Sequence, residues 1–501
     1  MVLVIDPISQ GERYQITDVS GKPLTRGGTT EHTLLNASSN LLGTSIAAYE
    51  LWDNARGLDY LITRPEVDTS RIGCLGNSGG AIQTIYFSTF DRRVKVAAVC
   101  SYLSNRERTM ELTGAADGCA QIPDEGTMHL EMCDYLIAGA PNPVLVLAGR
   151  YDFIDYTGTV LAVNDMKQIY KIIGQPQRVS LFTVDDGHGI TKPKREAAVS
   201  WFRRWLCNDT TPVTEPDLST LPPNELFCTP TGQVNAFYKD EITIAQRNVV
   251  RYDDLHSGRN TFLQKSRKEI VEKVKELLSL KQMSTVVNAE CGGEVKKDSL
   301  VWQKVILRKE YDLPLPLLVT SPAAGANKII LWCSDAGKNV VAESLSLIQQ
   351  YRGENAIVML CDLRGTGETA DKPELNDPKY YNKEYRNAML ALHVGQTLVG
   401  QRVKDVLTVV DFVSSNRNYA GLPIELHASG IAALPALHAM LFTDRVVKLN
   451  LYNLIPSFTT ILNNPIEKHW YSSVIPRVLQ FYDIPDLLML VGEQKVQLLY
   501  Q

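Results

Sequence analysis

Histidine is scarce in this sequence, cysteines never fall in close pairs and no long apolar run occurs, and each shortage narrows what the protein can be. Nine cysteines without close paired spacing build neither a zinc motif nor a disulfide framework. Cys74, Cys100, Cys333 and Cys361 lie in apolar, strand-like runs, where a free thiol packs as a small hydrophobe. No stretch approaches the ~20 apolar residues of a membrane-spanning helix; the longest aliphatic runs are only as long as sheet strands. There is no long basic run, and a formal net charge of −5 argues against nucleic acid as a partner. No cofactor or metal site is indicated, and the oligomeric state is not encoded in any visible pattern. What is left, 501 residues of which 44% are hydrophobic and 21% charged, is ordinary globular composition with room for roughly two to four domains.

One pentapeptide stands out against this background. Gly76-Asn77-Ser78-Gly79-Gly80 is a G-x-S-x-G motif between the apolar run Ile72-Gly73-Cys74-Leu75 and a helical pattern from Ala81 to Phe90. A strand feeding a helix through such a turn is a nucleophile elbow: the glycines allow a strained turn and keep Cβ atoms away, so the serine hydroxyl stands exposed at the strand end. Ser78 is therefore the candidate nucleophile.

A serine hydroxyl needs a histidine to take its proton, and the histidine needs a carboxylate to fix its tautomer. On this kind of sheet the order is Ser, acid, His. The buried strand pattern Pro143–Ala148 is followed by Gly149-Arg150-Tyr151-Asp152, which makes Asp152 the first choice of acid. Asp155 is the rival, although an aspartate there also reads as a helix cap. The next strand pattern, Arg178–Val184, ends in Asp185-Asp186-Gly187-His188-Gly189. His188, between two glycines, has no packing role to explain it and is the candidate base. The other nearby histidine, His129, lies in a stretch without strand character.

With these three residues in place, the segment from about Leu42 to Leu206 resembles the acetyl xylan esterase-like branch of the α/β-hydrolases. The resemblance extends over LLGTSIAAYELWDNARGLDYLITRPEVDTSRIG, GNSGG, FDRRVKVAAVCSYLS, LAGRYDFID and DDGHG. It implies deacetylation of xylan or a related polysaccharide or small-molecule ester through an acyl-enzyme, with Ser78 as nucleophile, His188 as base and then acid, and Asp152 as orienting carboxylate. It also implies that the Gly79 backbone N–H belongs to the oxyanion hole. Asp6-Pro7-Ile8-Ser9-Gln10-Gly11-Glu12 matches the family's Gly-x-Gly-Glu-like turn, with Ser9 in place of the first glycine. The triad does not choose a leaving group, so a serine peptidase or another acyl hydrolase is an alternative, as is a non-catalytic two-unit protein. The family's role in polysaccharide breakdown suggests a secreted or periplasmic protein, though no signal peptide is visible at Met1.

The chain also repeats itself, at an offset of about 350 residues. Gly43, Asp53, Asp59 and Tyr60 correspond to Gly395, Asp405, Asp411 and Phe412; Asp6, Gly11 and Glu12 to Asp362, Gly367 and Glu368; and Ser78 to Ser429. This predicts two doubly wound, mostly parallel α/β-hydrolase-like sheets in tandem: a catalytic unit at 1–207, a Pro- and Thr-rich linker at 208–232, and a second unit at 233–501.

The second unit reads as complete at its front, with a helix-like run over Asn260–Leu280 and strand patterns at Val301–Leu307, Leu315–Thr320, Lys328–Cys333 and Ala356–Cys361. The first unit matches only the last of these, at Val2–Ile5. It is expected to lack its N-terminal strands, and with them the loop that supplies the second oxyanion N–H. Met1 is thus expected to be an internal or misassigned start. The second unit is expected to be degenerate: its elbow reads His427-Ala428-Ser429-Gly430-Ile431, and aligning Val144 with Val496 places Gly149 on Gln501, with no acid or histidine beyond.

Overall fold

The computed structural model describes residues 1–112, 117–280, 287–297, 300–320, 325–372, 384–466 and 470–500. They form two compact units, one of Met1–Ser39, Thr44–Arg247 and Leu392–Gly395, the other of Asn40–Gly43, Asn248–Ala391 and Gln396–Gln501. The stretch 208–232 groups with the first unit, where the Glu12 carboxylate accepts the N–H groups of Cys228 (2.5 Å) and Thr229 (2.9 Å).

The first unit carries a four-stranded sheet, β1 (Ile72–Asn77), β2 (Val94–Cys100), β3 (Val144–Gly149) and β4 (Val179–Val184), parallel throughout and in chain order. Its helices are α1 (Thr29–Leu41), α2 (Ile46–Ile62), α3 (Gly79–Phe90), α4 (Arg106–Leu112), α5 (Met132–Ala138), α6 (Tyr156–Ile172) and α7 (Lys192–Cys207). One face of the sheet buries Val99 and Val146 with Ile82, Ile85 and Met166 of α3 and α6. The other buries Val96, Ala98 and Leu145 with Ala198 and Trp201 of α7. Burial on both faces is why β2 and β3 read as unbroken apolar runs rather than alternating ones. These are the strands expected around Ser78, Asp152 and His188.

The second unit carries eight strands: β5 (Asn288–Lys297), β6 (Leu300–Arg308), β7 (Leu315–Thr320), β8 (Lys328–Cys333), β9 (Ala356–Cys361), β10 (Ile424–Ser429), β11 (Val446–Tyr452) and β12 (Val496–Leu499). Their order is β12-β11-β10-β8-β9-β7-β6-β5, with β8 to β12 mutually parallel and β5 to β7 antiparallel. The chain is thus mixed α/β, with one wholly parallel sheet and one mostly parallel sheet.

Three expectations need correction. Val2–Ile5 is irregular chain rather than a strand, with Val2 and Val4 each 85% exposed. The second unit explains why: there β9 pairs with β8, and it is β8 that pairs with β10. Among the described residues of the first unit no strand stands beside β1 as β8 stands beside β10, so a strand at Val2–Ile5 would have no neighbour there. The helix-like run Asn260–Leu280 is two helices, His256–Leu263 and Arg267–Leu277, because Ser266 and Glu269 form a capping box that starts the second. β5 was not foreseen, since every residue in it is exposed and it shows no apolar alternation.

The proposed repeat has a structural echo in one turn. Asp6 accepts the Glu12 N–H at 3.0 Å, and Asp362 accepts the Glu368 N–H at 2.9 Å. A Cβ on Gly11 or Gly367 would lie 2.1 or 2.2 Å from that aspartate's carboxylate, so glycine is required at both places. Where the second unit has Gly365, at φ 79, the first has Ser9, which takes the same left-handed region at φ 65.

A buried titratable pair lies under α1 and α2. His32 Nε2 is 2.6 Å from the Ile8 carbonyl and 3.4 Å from Glu50 Oε1, and burial pushes Glu50 up to about 8 and His32 down to about 4. Both are thereby favoured in neutral form. For Glu50, whose folded pKa lies above its ordinary 4.5, the stabilisation is complete below 4.5 and is lost as pH rises through about 8. For His32, lowered from 6.5, it is complete above 6.5 and lost as pH falls through about 4. Glu50→Gln removes the alkaline loss. At a pH of about 9 the variant's first unit is expected to melt ~5 °C or more above the parent's in calorimetry, with the gap closing as the pH falls towards 4.5. Parallel melting curves across that range would assign the alkaline sensitivity to another group.

Candidate active site

Ser78 sits between the end of β1 and the start of α3, at φ 56 and ψ −119. A non-glycine residue there is strained, and such strain persists only where the surroundings hold it. Two features do so. The Ser78 N–H donates to the Cys100 carbonyl at the end of β2 (2.9 Å), and its own carbonyl accepts the N–H groups of Ala81 and Ile82. The turn is so tight that a Cβ on Gly76 would lie 1.9 Å from the Gly80 carbonyl oxygen. Gly79 opens α3, so its N–H belongs to the first turn, where no helical acceptor exists. The first unit's described sheet offers no loop equivalent to the one after β8 as a second donor.

Asp152 and His188, from the turns after β3 and β4, meet. Asp152 Oδ1 is 2.8 Å from His188 Nδ1, with the aspartate side chain 2% exposed and the histidine 27%. The same oxygen accepts the Ile154 N–H at 3.0 Å, and the Phe153 ring stacks on the imidazole at 4.3 Å. Asp155 does something else. It caps α6, accepting the Gly158 N–H at 2.6 Å, and pairs with Arg108 at 3.1 Å, whose guanidinium holds its carboxyl below the usual range.

The β2 end ties the two halves of the site together. Ser78 is anchored on Cys100, as above, while the Cys100 thiol donates to the Gly189 carbonyl (3.6 Å) and the Gly189 N–H donates to Ser101 Oγ (3.4 Å). The serine turn and the histidine loop therefore share one support.

Lys194 was missed by the sequence reading. Its fully buried ammonium donates to the carbonyls of Gly187 (3.2 Å) and Gly189 (2.9 Å), on either side of His188, and pairs with Asp186 at 2.8 Å. A signal was present: a lysine in the first turn of α7 opposes the helix dipole and needs a reason to be there.

The second unit's counterpart is not an elbow. Ser429 is in extended conformation at φ −123, and Gly430 takes the positive φ instead. His427, aligned with Gly76, has a side chain that would not fit the tight turn; it packs against Trp332 and Tyr452, and burial lowers its pKa to about 4. The corresponding hydroxyl, Ser429 Oγ, donates to Asp335 at 3.0 Å. Gln501, the expected counterpart of Gly149, lies outside the described residues.

No family model matches the chain. The provisionally named hydrolase YtaP of Bacillus subtilis (strain 168) is 24% identical over 168 residues, 33% of this chain and 56% of that protein. The chain thus spans about half the length of this curated relative. Among solved structures, a protein of Bacteroides fragilis NCTC 9343 provisionally described as an acetyl xylan esterase superposes with a TM-score of 0.41 at 14% identity, covering 52% of this chain and 76% of that one. A carbohydrate esterase family 15 glucuronoyl esterase from Caldicellulosiruptor kristjansonii superposes with a TM-score of 0.31 at 17% identity, covering 40% and 57%. The solved structures similar to parts of this chain thus include proteins described as acetyl xylan and glucuronoyl esterases.

Proposed function

We propose that the first unit is a serine hydrolase that removes acetyl or similar small acyl groups from a carbohydrate such as xylan. The observation that carries this reading is the 2.8 Å contact between buried Asp152 and His188, on a loop that shares its support with the strained Ser78 turn. A carboxylate accepts, so the contact places the imidazole proton on Nδ1 and leaves Nε2 with the lone pair a base needs. Ser78 attacks the ester carbonyl, His188 takes its proton and returns it to the departing alcohol, and water then releases the acid from the acyl-enzyme. The Gly79 N–H faces the oxyanion. The choice of a carbohydrate ester rests on the sequence resemblance over Leu42–Leu206. The second unit, with its serine in extended conformation and bonded to Asp335, is read as non-catalytic.

A fluorophosphonate probe tests this directly, because a competent serine oxygen displaces fluoride and keeps the phosphonyl group. Mass spectrometry is expected to find the label on the peptide containing Ser78. A label elsewhere would move the nucleophile away from Ser78, and no label would favour the non-catalytic reading. Acetylated xylan is expected to be turned over faster than peptide substrates; the reverse ranking would make the protein a peptidase.

Lys194 is a positioning residue in this scheme. Lys194→Met is expected to lower kcat by ~10–100-fold, with KM little changed, because a misplacement of about 1 Å in the histidine is enough for such a loss. Lys194→Arg should recover part of it. An equal rise in KM, with kcat intact, would place Lys194 outside the chemistry.

A further inference from the structure

The second unit has lost the elbow but kept a cleft. A cavity of about 760 Å³ opens where the loops after β8, β9, β10 and β11 converge, all at the carboxyl ends of parallel strands. β8 and β10 are neighbours in the sheet, yet the chain leaves β8 for β9 on one side and β10 for β11 on the other. The gap between the loops that follow them is thus a topological switch point, where open α/β sheets bind ligands. Asp335, after β8, and Gly430, after β10, both line the cavity and touch each other: a Cβ on Gly430 would lie 2.1 Å from the Asp335 carboxylate. Asp335 is held in turn by Ser429 Oγ at 3.0 Å and the Ala336 N–H at 3.1 Å. The walls are therefore preformed, and the volume lies within the ~300–1,000 Å³ usual for small-molecule sites.

We propose that this cleft binds a neutral saccharide. The charged residues among the described lining are the carboxylates Asp335, Asp371 and Glu384, which repel an anion. The carboxylates of Asp335 and Asp371 only accept hydrogen bonds; each has one oxygen engaged, Asp335 Oδ1 by Ser429 and Ala336 and Asp371 Oδ2 by Asn387, so a ligand group that meets the other oxygen must be a donor. Ser473 can both donate and accept, which suits sugar hydroxyls and is wasted on an ammonium group. Glu384, a third carboxylate, is already paired with Arg402, so the cleft is less anionic than its composition suggests. Trp470 adds an aromatic wall, its indole N–H held by the Asn464 carbonyl at 3.3 Å, and offers a flat apolar surface to the C–H face of a ring. This inference does not depend on Ser78: the site could bind sugar in an inactive protein.

The test is calorimetric titration of the full-length Ser78→Ala chain with xylohexaose and cellohexaose, and separately with spermidine and a polygalacturonate oligomer. Saturable binding of a neutral oligosaccharide is expected, weakened at least ~10-fold by Trp470→Ala. Trp470 is partly buried, so Ala370→Trp, at an exposed position on the cavity wall, serves as a second variant that fills the cleft and should weaken binding as much. Absence of binding by both neutral sugars would overturn the proposal. So would binding that both variants leave unchanged, or a preference for spermidine or the polyanion.

Discussion

Ser78→Ala is expected to abolish probe labelling and to lower 4-nitrophenyl acetate turnover by about 10³–10⁴-fold. Loss of a triad serine in a fully equipped enzyme costs more, on the order of 10⁶. The smaller figure follows from the site itself. With Gly79 as the one oxyanion donor identified in the first unit, the parent begins some 10²–10³ below a two-donor enzyme, so there is less rate to lose. A companion variant separates function from packing. Ser78 is held at φ 56, a region glycine enters without penalty. Ser78→Gly should therefore abolish turnover just as completely while raising the stability of the first unit by about 1 kcal/mol, read as an increase in its denaturation midpoint. A serine whose removal lowers stability and leaves turnover unchanged would be a structural residue, and the esterase reading would fail with it.

Asp152→Asn is the second large effect, with kcat expected to fall by about 10⁴-fold. The amide can donate to Nδ1, which moves the imidazole proton to Nε2 and removes the lone pair that Ser78 needs. The variant should still fold, because shape and volume are preserved. Asp155→Asn is expected to behave in the opposite way. It keeps the α6 cap, because asparagine caps a helix as well as aspartate does, loses only the charge of the half-exposed Arg108 pair, at a cost of up to about 1 kcal/mol in stability, and leaves kcat within a few-fold. If Asp155→Asn were instead the more damaging to kcat, the acid assignment would have to move to Asp155.

Local features of this site were legible because they are written in contiguous residues. The strand, tight turn and helix around Ser78 follow from an apolar run, flanking glycines and a helical pattern within about twenty residues, and they appear as β1, Ser78 and α3. Asp152 and His188 could be proposed as strand-end residues for the same reason. Sequence alone ranked Asp152 above Asp155 by position; the coordinates show Asp152 at His188 and Asp155 at a helix start, a difference of side-chain direction across one turn. Lys194 escaped notice because its partners are backbone carbonyls, which any residue carries and no pattern marks.

Strand pairing set the other boundary. Val2–Ile5 has the composition of a strand, yet a strand exists only where a neighbour completes its hydrogen bonds, and among the described residues no strand lies beside β1 on that side to provide one. β5 is the converse case, a wholly exposed segment made a strand by its pairing with β6. By itself, then, the sequence determined the α/β class, the elbow and the order of the candidate triad, all functions of short-range pattern. Only the tertiary structure decided which carboxylate meets the histidine, what braces its loop, and that the second unit has a cleft beside Ser429, whose turn is not an elbow. Those depend on distances between residues far apart in the chain, which the pattern along it does not contain.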